Sequence, residues 1–91
     1  MIVAEIKVIT IDENTFQVTV AAGSITMHEV NVGTAYALKL SGGNSSTAEL
    51  VKKSFEFLLQ RESNNSILRR FDLSVIAHYF PEYEREIVKN F

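Results

Sequence analysis

The chain of 91 residues contains no cysteine, no tryptophan and only one proline. The lack of cysteine excludes disulfides, thiolate metal sites and a cysteine nucleophile, and it favours a cytoplasmic location. No apolar stretch approaches the roughly 18 residues that a membrane-spanning helix needs. Glu5 and Lys7 interrupt the apolar N-terminal segment, so we expect no signal peptide either. The sequence therefore predicts a soluble cytoplasmic protein without a membrane partner.

The composition shows no excess of one charge that would attract a polyelectrolyte. The formal net charge is −2, which gives no long-range attraction for nucleic acid or for an anionic membrane. Hydrophobic residues make up 46% of the chain and charged residues 22%, as is ordinary for a globular protein. Because a chain of this length supports one hydrophobic core, residues 1–91 are predicted to form a single domain.

The first third of the chain has the apolar period of two that a β-strand imposes. Residues 12–15 and 22–24, which are rich in Asp, Asn, Gly and Ser, divide it with turn-forming chemistry. The sequence therefore predicts strands at about 2–11, 16–22 and 25–32, joined as an antiparallel meander.

The remainder of the chain carries start and stop signals for helices. Thr34 is a competent N-cap, and Gly42 can take the left-handed conformation that ends a helix. The stretch between them also fits strand alternation, but its Ala, Leu and Lys residues favour a helix. Ser46 and Glu49 match a capping box. Three further residues suit helix starts: Ser66, Asp72 and Pro81. The predicted helices span about 35–41, 47–60, 67–71, 73–79 and 81–89.

These patterns together predict an α+β fold, in which an N-terminal three-stranded antiparallel meander precedes a helical C-terminal half packed on one sheet face. The helix at 47–60 carries a broad apolar stripe that includes Val51, Phe55 and Leu58. The sheet residues expected beneath this stripe are Ile6, Val8, Val18 and Val20. Residues 71–80 are expected to close the edge of the same core.

The segment SFEFLLQRESNNSILRRFDLSVIAHYFPEYEREI, from Ser54 to Ile87, resembles the C-terminal half of a family of small bacterial proteins. The resemblance extends back through HEVNVGTAYALKLSGG and covers about two thirds of the chain. The family has no assigned activity. The resemblance therefore implies a bacterial origin and an α+β domain, but no catalytic or ligand-binding residues.

His78 is the first residue to consider for catalysis, since histidine is a common general base. Ser74 and Asp72 precede it closely, so a Ser, His and Asp set can be assembled from the sequence. Neighbours on one short helix seldom converge as a triad requires, and no nucleophile elbow is present. We predict no catalytic site, and the alternative is a small hydrolase or transferase that uses His78 with Tyr79 or Tyr83.

The sequence predicts no metal site and no cofactor. His28 and His78 could meet in the folded chain together with Glu29 or Glu82. Neither a His-x-His nor a His-x-x-x-His spacing supports such a site.

A glycine-rich turn at 41–47 precedes a predicted helix, and such turns can hold a phosphate through their free N–H groups. The candidate anion-binding residues are Gly42, Gly43, Ser46 and Thr47. No lysine follows the glycines as it does in a P-loop, so capping of the two adjacent helices accounts for the same residues.

A local basic patch for RNA or DNA can be drawn from five residues: Lys52, Lys53, Arg61, Arg69 and Arg70. Glu56, Glu62 and Asp72 are interspersed among them and weaken the positive field. Nucleic-acid binding is therefore the third hypothesis for function.

Aromatic residues are concentrated in the C-terminal half, where six rings exceed what one short helix face can bury. They are Phe55, Phe57, Phe71, Tyr79, Phe80 and Tyr83. Rings left exposed would mark an interface, and the commonest partner of so small a chain is its own copy. We take Tyr79, Phe80 and Tyr83 as interface candidates and expect a non-enzymatic binding or assembly module that forms a homodimer or small homo-oligomer.

Overall fold

The computed structural model describes residues 4–91, and it confirms the α+β class, with helices covering one face of a four-stranded sheet. In chain order the elements are β1 (Glu5–Thr10), β2 (Thr15–Ala22), β3 (Ser24–Asn31), α1 (Thr34–Ser41), α2 (Thr47–Leu59), a 3₁₀ turn (Asn64–Ser66), β4 (Arg70–Asp72), α3 (Val75–Tyr79) and α4 (Tyr83–Val88). The strand order in the sheet is β1-β2-β3-β4. Residues 2 and 3 of the predicted first strand lie outside the described residues.

The three long strands form the predicted antiparallel meander. Val18 of β2 lies opposite Val8 of β1 and His28 of β3 in the two ladders. The first turn is closed by Asp12, whose Oδ1 accepts a hydrogen bond of 2.9 Å from the N–H of Asn14. The second turn is made by Gly23 alone, whose φ of +88° lies in the region that glycine tolerates.

The two long helices begin and end on local capping interactions. The Oγ of Ser46 accepts a 3.1 Å hydrogen bond from the N–H of Glu49, which fixes the start of α2 as predicted. Helix α1 starts one residue earlier than predicted, with Gly33 rather than Thr34 at the N-cap. It ends at Gly42, which has the left-handed conformation (φ +64°) and whose N–H donates to the carbonyl of Leu38.

The predicted helix at 67–71 is wrong. Ile67 is extended, and Arg70–Asp72 forms β4, which pairs in parallel with the end of β3. Backbone hydrogen bonds of 2.8 Å from Glu29 N–H to Arg69 and from Leu73 N–H to Asn31 hold this segment on the sheet. Because the edge of β3 is available for pairing, the backbone N–H and C=O groups of this segment form hydrogen bonds without a helix.

The last two helices are shorter than predicted. Helix α3 begins at Val75 with Ser74 at its N-cap, and Asp72 instead accepts a hydrogen bond from the Ser74 N–H before the helix starts. Helix α4 begins at Tyr83, because Pro81 and Glu82 form a turn ahead of it.

The core lies between the helices and one sheet face. On β2 the alternate residues Phe16, Val18 and Val20 are buried, as the period of two predicts. From α2 the buried apolar residues are Leu50, Val51, Phe55, Phe57 and Leu58. The ring of Phe55 contacts the rings of His28 and Phe71, with centroids 5.3 and 6.0 Å away. The helical layer therefore spans from β1 to β4 and leaves the other sheet face exposed.

Candidate functional site

An apolar cleft lies beside β4, and we call it the α2–α3 cleft. It has a volume of about 330 Å³. The residues that line it are Leu58, Glu62, Ser66, Ile67, Leu68, Phe71, Val75, Ile76, Tyr79 and Phe80. They come from the end of α2, the 3₁₀ turn, β4 and α3, so the cleft exists only when all four elements are packed.

The cleft has a buried apolar interior and an exposed rim. Ile67, Phe71 and Ile76 are buried in the interior, each less than a tenth exposed. At the rim, Leu68 is 48% exposed and Tyr79 is 64% exposed. Large apolar side chains that stay open beside a buried cavity are typical of a binding surface.

Glu62 is the one carboxylate that lines this cleft. Its N–H donates to the carbonyl of Leu58, which extends the helical turn past the end of α2 and directs the residue toward the cleft. Loss of water around the half-buried carboxyl raises its pKa. Among residues 4–91, none forms a hydrogen bond or an ion pair with this side chain. The cleft thus offers an uncompensated negative charge next to apolar surface.

The three interface candidates lie in different environments. Tyr79 and Phe80 both line the cleft, and Phe80 packs edge-on against Phe57 with centroids 6.0 Å apart. Tyr83 is fully buried, so its prediction as an interface residue is wrong. It is the first residue of α4, and its ring fills the core against Phe57.

The structure does not assemble the catalytic set drawn from the sequence. The Oγ of Ser74 donates to Asp72 rather than to His78. His78 is exposed, does not line the α2–α3 cleft, and stacks its ring edge-on against Tyr79. No side chain of residues 4–91 forms a hydrogen bond with it. The hydrolase or transferase hypothesis therefore gains no support from this geometry.

His28 has a structural environment that the sequence did not indicate. Its Nδ1 lies 2.7 Å from the carbonyl oxygen of Leu68 and must donate to it, since a carbonyl only accepts. Its Nε2 then accepts from the hydroxyl of Thr26 at 2.9 Å. Thr26 in turn accepts a 3.0 Å hydrogen bond from the amide of Asn64. Burial lowers the pKa of His28, so the neutral ring is favoured.

The remaining candidate residues serve local structure or lie apart. Gly42 ends α1 and Ser46 caps α2, as the capping explanation of the glycine-rich turn requires.

Arg61 pairs with Glu82 at 3.1 Å, while Arg70 pairs with Glu29 on the opposite sheet face at 3.3 Å. Arg61 and Arg70 thus lie apart and do not contribute to one patch. No group of three or more His, Asp or Glu side chains in residues 4–91 is placed to hold a metal ion.

Sequence reasoning does not identify Glu62 and Leu68 as residues that line a cleft. It treats Glu62 only as a charge that weakens a basic patch and predicts that Leu68 lies within a helix. A usable signal was the four-residue spacing of Leu58 and Glu62, which puts both on one side of a continuing helical turn. Leu68 had no such signal, because its position depends on β4.

Comparison with known proteins returns no match: no protein-family model, curated protein or solved structure is similar to this chain. Membership of the bacterial family that its C-terminal half resembles therefore stays a prediction. Within residues 4–91, no helix combines the length and the apolar content that crossing a bilayer requires.

Proposed function

We propose that this protein is a non-enzymatic binding module whose α2–α3 cleft takes an apolar side chain of a partner peptide, with a lysine or arginine of that peptide at Glu62. The observation that carries the proposal is the unpaired carboxylate of Glu62 on a mostly apolar cleft. Phe71 and Ile76 supply the apolar interior, and Tyr79 and Leu68 supply exposed surface at the rim.

The size of the cleft supports an occupant as small as one or two side chains. A volume of about 330 Å³ is at the lower end of the range for ligand sites, roughly 300–1,000 Å³. A peptide also contacts the surface beyond the cavity, where Leu68 and Tyr79 lie open. Tyrosine in such a position is typical of protein interfaces, since its ring is apolar and its hydroxyl stays in water.

The charge of Glu62 supports a basic rather than an acidic partner. A carboxylate in a partly dehydrated position is stabilised when a cation approaches, and its interaction with that cation is less screened than on an open surface. An acidic or neutral peptide would leave the carboxylate dehydrated and unpaired, which costs free energy. Binding should therefore favour peptides in which an apolar residue adjoins Lys or Arg.

Selection from a random library of short peptides displayed on phage tests this proposal. The enriched peptides are expected to join an aromatic or large aliphatic residue to a Lys or Arg. Binding of one such peptide, labelled with a fluorophore, can then be measured by polarisation. Leu68→Ala and Glu62→Gln should each weaken it, by roughly five- to tenfold for a contact of about 1 kcal/mol.

The chain offers matched controls for both variants. Leu38 is 57% exposed on α1, away from the cleft, so Leu38→Ala should leave peptide binding unchanged. Glu56 is an exposed carboxylate of α2 that does not line the cleft, so Glu56→Gln should do the same. The proposal fails if no peptide is enriched, or if the selected peptides bind equally to wild type, Leu68→Ala and Glu62→Gln.

A further inference from the structure

Strand β1 has an open edge on the side away from β2. In the sheet order β1-β2-β3-β4 it is the outermost strand, and no other strand of residues 4–91 pairs with its outer side. The N–H of Ile11, just after β1, donates to Thr15 of β2 at 2.9 Å. Because backbone groups alternate between the two sides of a strand, Ile6, Val8 and Thr10 direct their N–H and C=O groups outward.

The side chains of β1 alternate between the two faces of the sheet. Ile6 and Val8 lie on the helix-covered face, half-buried, where they pack against the core. Glu5 and Lys7 are exposed on the opposite face, and neither forms an ion pair with another described residue. Charges on an edge strand usually discourage further pairing. Here the two charges have opposite sign and share one face, so the strand is complementary to itself in one register.

We propose that β1 pairs antiparallel with β1 of a second copy of this chain, with the twofold axis at Ile6. In this register Ile6 faces its own copy in a hydrogen-bonded pair, and Ala4 faces Val8. Glu5 of each chain lies opposite Lys7 of the other, in the non-hydrogen-bonded pairs where side chains approach most closely. The proposal is independent of the peptide-binding cleft.

Charge and apolar matching select this register over its neighbours. An axis at Lys7 places two lysines directly opposite each other, which is destabilising. An axis at Val8 places Lys7 opposite Ile9 and Glu5 opposite Ile11, and leaves both charges unpaired. Only the axis at Ile6 forms two salt bridges and keeps apolar pairs on the core side.

The resulting dimer has one continuous eight-stranded sheet with the helices of both copies on the same side. Ile6 and Val8, half-buried in one chain, would become covered by Ile6 and Ala4 of the other. The α2–α3 cleft lies beside β4, at the opposite edge of the sheet, and stays open in each copy. One dimer would therefore present two peptide-binding clefts.

Charge reversal tests the pairing by sedimentation equilibrium. Wild type is expected to be a dimer, and Lys7→Glu and Glu5→Lys should each weaken it at least about tenfold, since both attractive pairs become repulsive. An equimolar mixture of the two variants should form a heterodimer, and the double variant Glu5→Lys with Lys7→Glu should regain wild-type affinity. Glu13→Lys, in the turn after β1, is the matched control and should not weaken the dimer.

A cysteine at the axis tests the register separately. The chain has no cysteine, and Ile6 is the residue of β1 that meets its own copy, at the Cα separation of about 5.5 Å that a disulfide tolerates. Ile6→Cys should therefore oxidise to a covalent dimer much faster than Val8→Cys. Circular dichroism of each variant shows whether the fold is kept. A strictly monomeric wild type, or a mixture of charge variants that does not associate, overturns the proposal, and faster cross-linking of Val8→Cys overturns the register.

Discussion

The phenol oxygen of Tyr83 lies 2.6 Å from the Oγ of Ser54, and both residues are fully buried. The hydroxyl of Ser54 also donates to the carbonyl of Leu50 at 2.7 Å, so its only proton is already used. Tyr83 must therefore be the donor in the pair. This hydrogen bond ties α4 to the middle of α2, and it explains why a tyrosine can be buried in an apolar core.

Ser54→Ala should cost about 1–3 kcal/mol in the free energy of unfolding, because it leaves the hydroxyl of Tyr83 buried without a partner. Tyr83→Phe should cost less, about 1 kcal/mol, since Ser54 keeps its bond to Leu50. Urea denaturation of the single variants and the double variant measures the coupling. We expect the double variant to be at least as stable as Ser54→Ala alone, whereas simple additivity of the two costs would contradict the pairing.

The buried hydrogen-bond chain from Asn64 through Thr26 and His28 to Leu68 predicts a dependence of stability on pH. The pKa of His28 is lowered by burial and by the charge of Arg69, against the opposing effect of the Leu68 carbonyl. The unfolded state therefore binds more protons below about pH 6.5, the ordinary value for histidine. The contribution of His28 is fully present above that pH and is lost as the pH falls toward the folded pKa.

Wild type and His28→Gln should consequently differ in how their unfolding free energies change between about pH 7.5 and 5.5, with wild type losing more. Burial also raises the pKa of Glu62, so the contribution of this carboxyl to stability increases as the pH falls toward about 4.5. Glu62 is present in both proteins, and its contribution therefore cancels in the difference. In His78→Gln the remaining histidine signal belongs to His28, and its NMR titration should have a midpoint below 6.5. Parallel pH profiles of wild type and His28→Gln would contradict this account.

The meander and α2 could be predicted because their signals are local. The alternation of Phe16, Val18 and Val20 gives a strand with one buried face, and the Ser46 hydroxyl marks a helix start from within three residues. Such patterns depend on the chain's own neighbours in sequence. They give correct elements with ends that differ by one or two residues.

Strand β4 and the α2–α3 cleft could not be predicted, because they depend on contacts between distant parts of the chain. The carbonyl of Arg69 accepts a hydrogen bond from the N–H of Glu29, some forty residues earlier in the chain, and no periodicity within 67–71 predicts that bond. The burial of Tyr83 depends likewise on Ser54 in another helix. An aromatic count therefore indicated an interface where most of the rings in fact fill the core.

Replacing Gly42 should carry a conformational cost that replacing Gly33 does not. With φ at +64° it occupies the left-handed region, so Gly42→Ala should cost about 1–2 kcal/mol. Gly33 is the matched control, since its φ is −68° and an added Cβ meets nothing within 4 Å. Gly33→Ala should cost less, about 0.5–1 kcal/mol in a thermal melt, because alanine is a poorer N-cap than glycine but needs no left-handed backbone there. Equal costs at the two positions would show that backbone conformation does not set them.

Phe55 gives the largest predicted loss of stability from a single substitution. Its side chain is completely buried between α2 and the sheet, in contact with His28 and Phe71. Phe55→Ala removes this packing and leaves a cavity, so we expect a cost of about 3–5 kcal/mol in urea denaturation. Leu38→Ala, at an exposed position of α1, should change the free energy by less than about 0.5 kcal/mol. If the unfolding free energy of Phe55→Ala lay within about 1 kcal/mol of the wild-type value, α2 would not pack on the sheet through this ring, because a buried cavity of that size destabilises a protein by more.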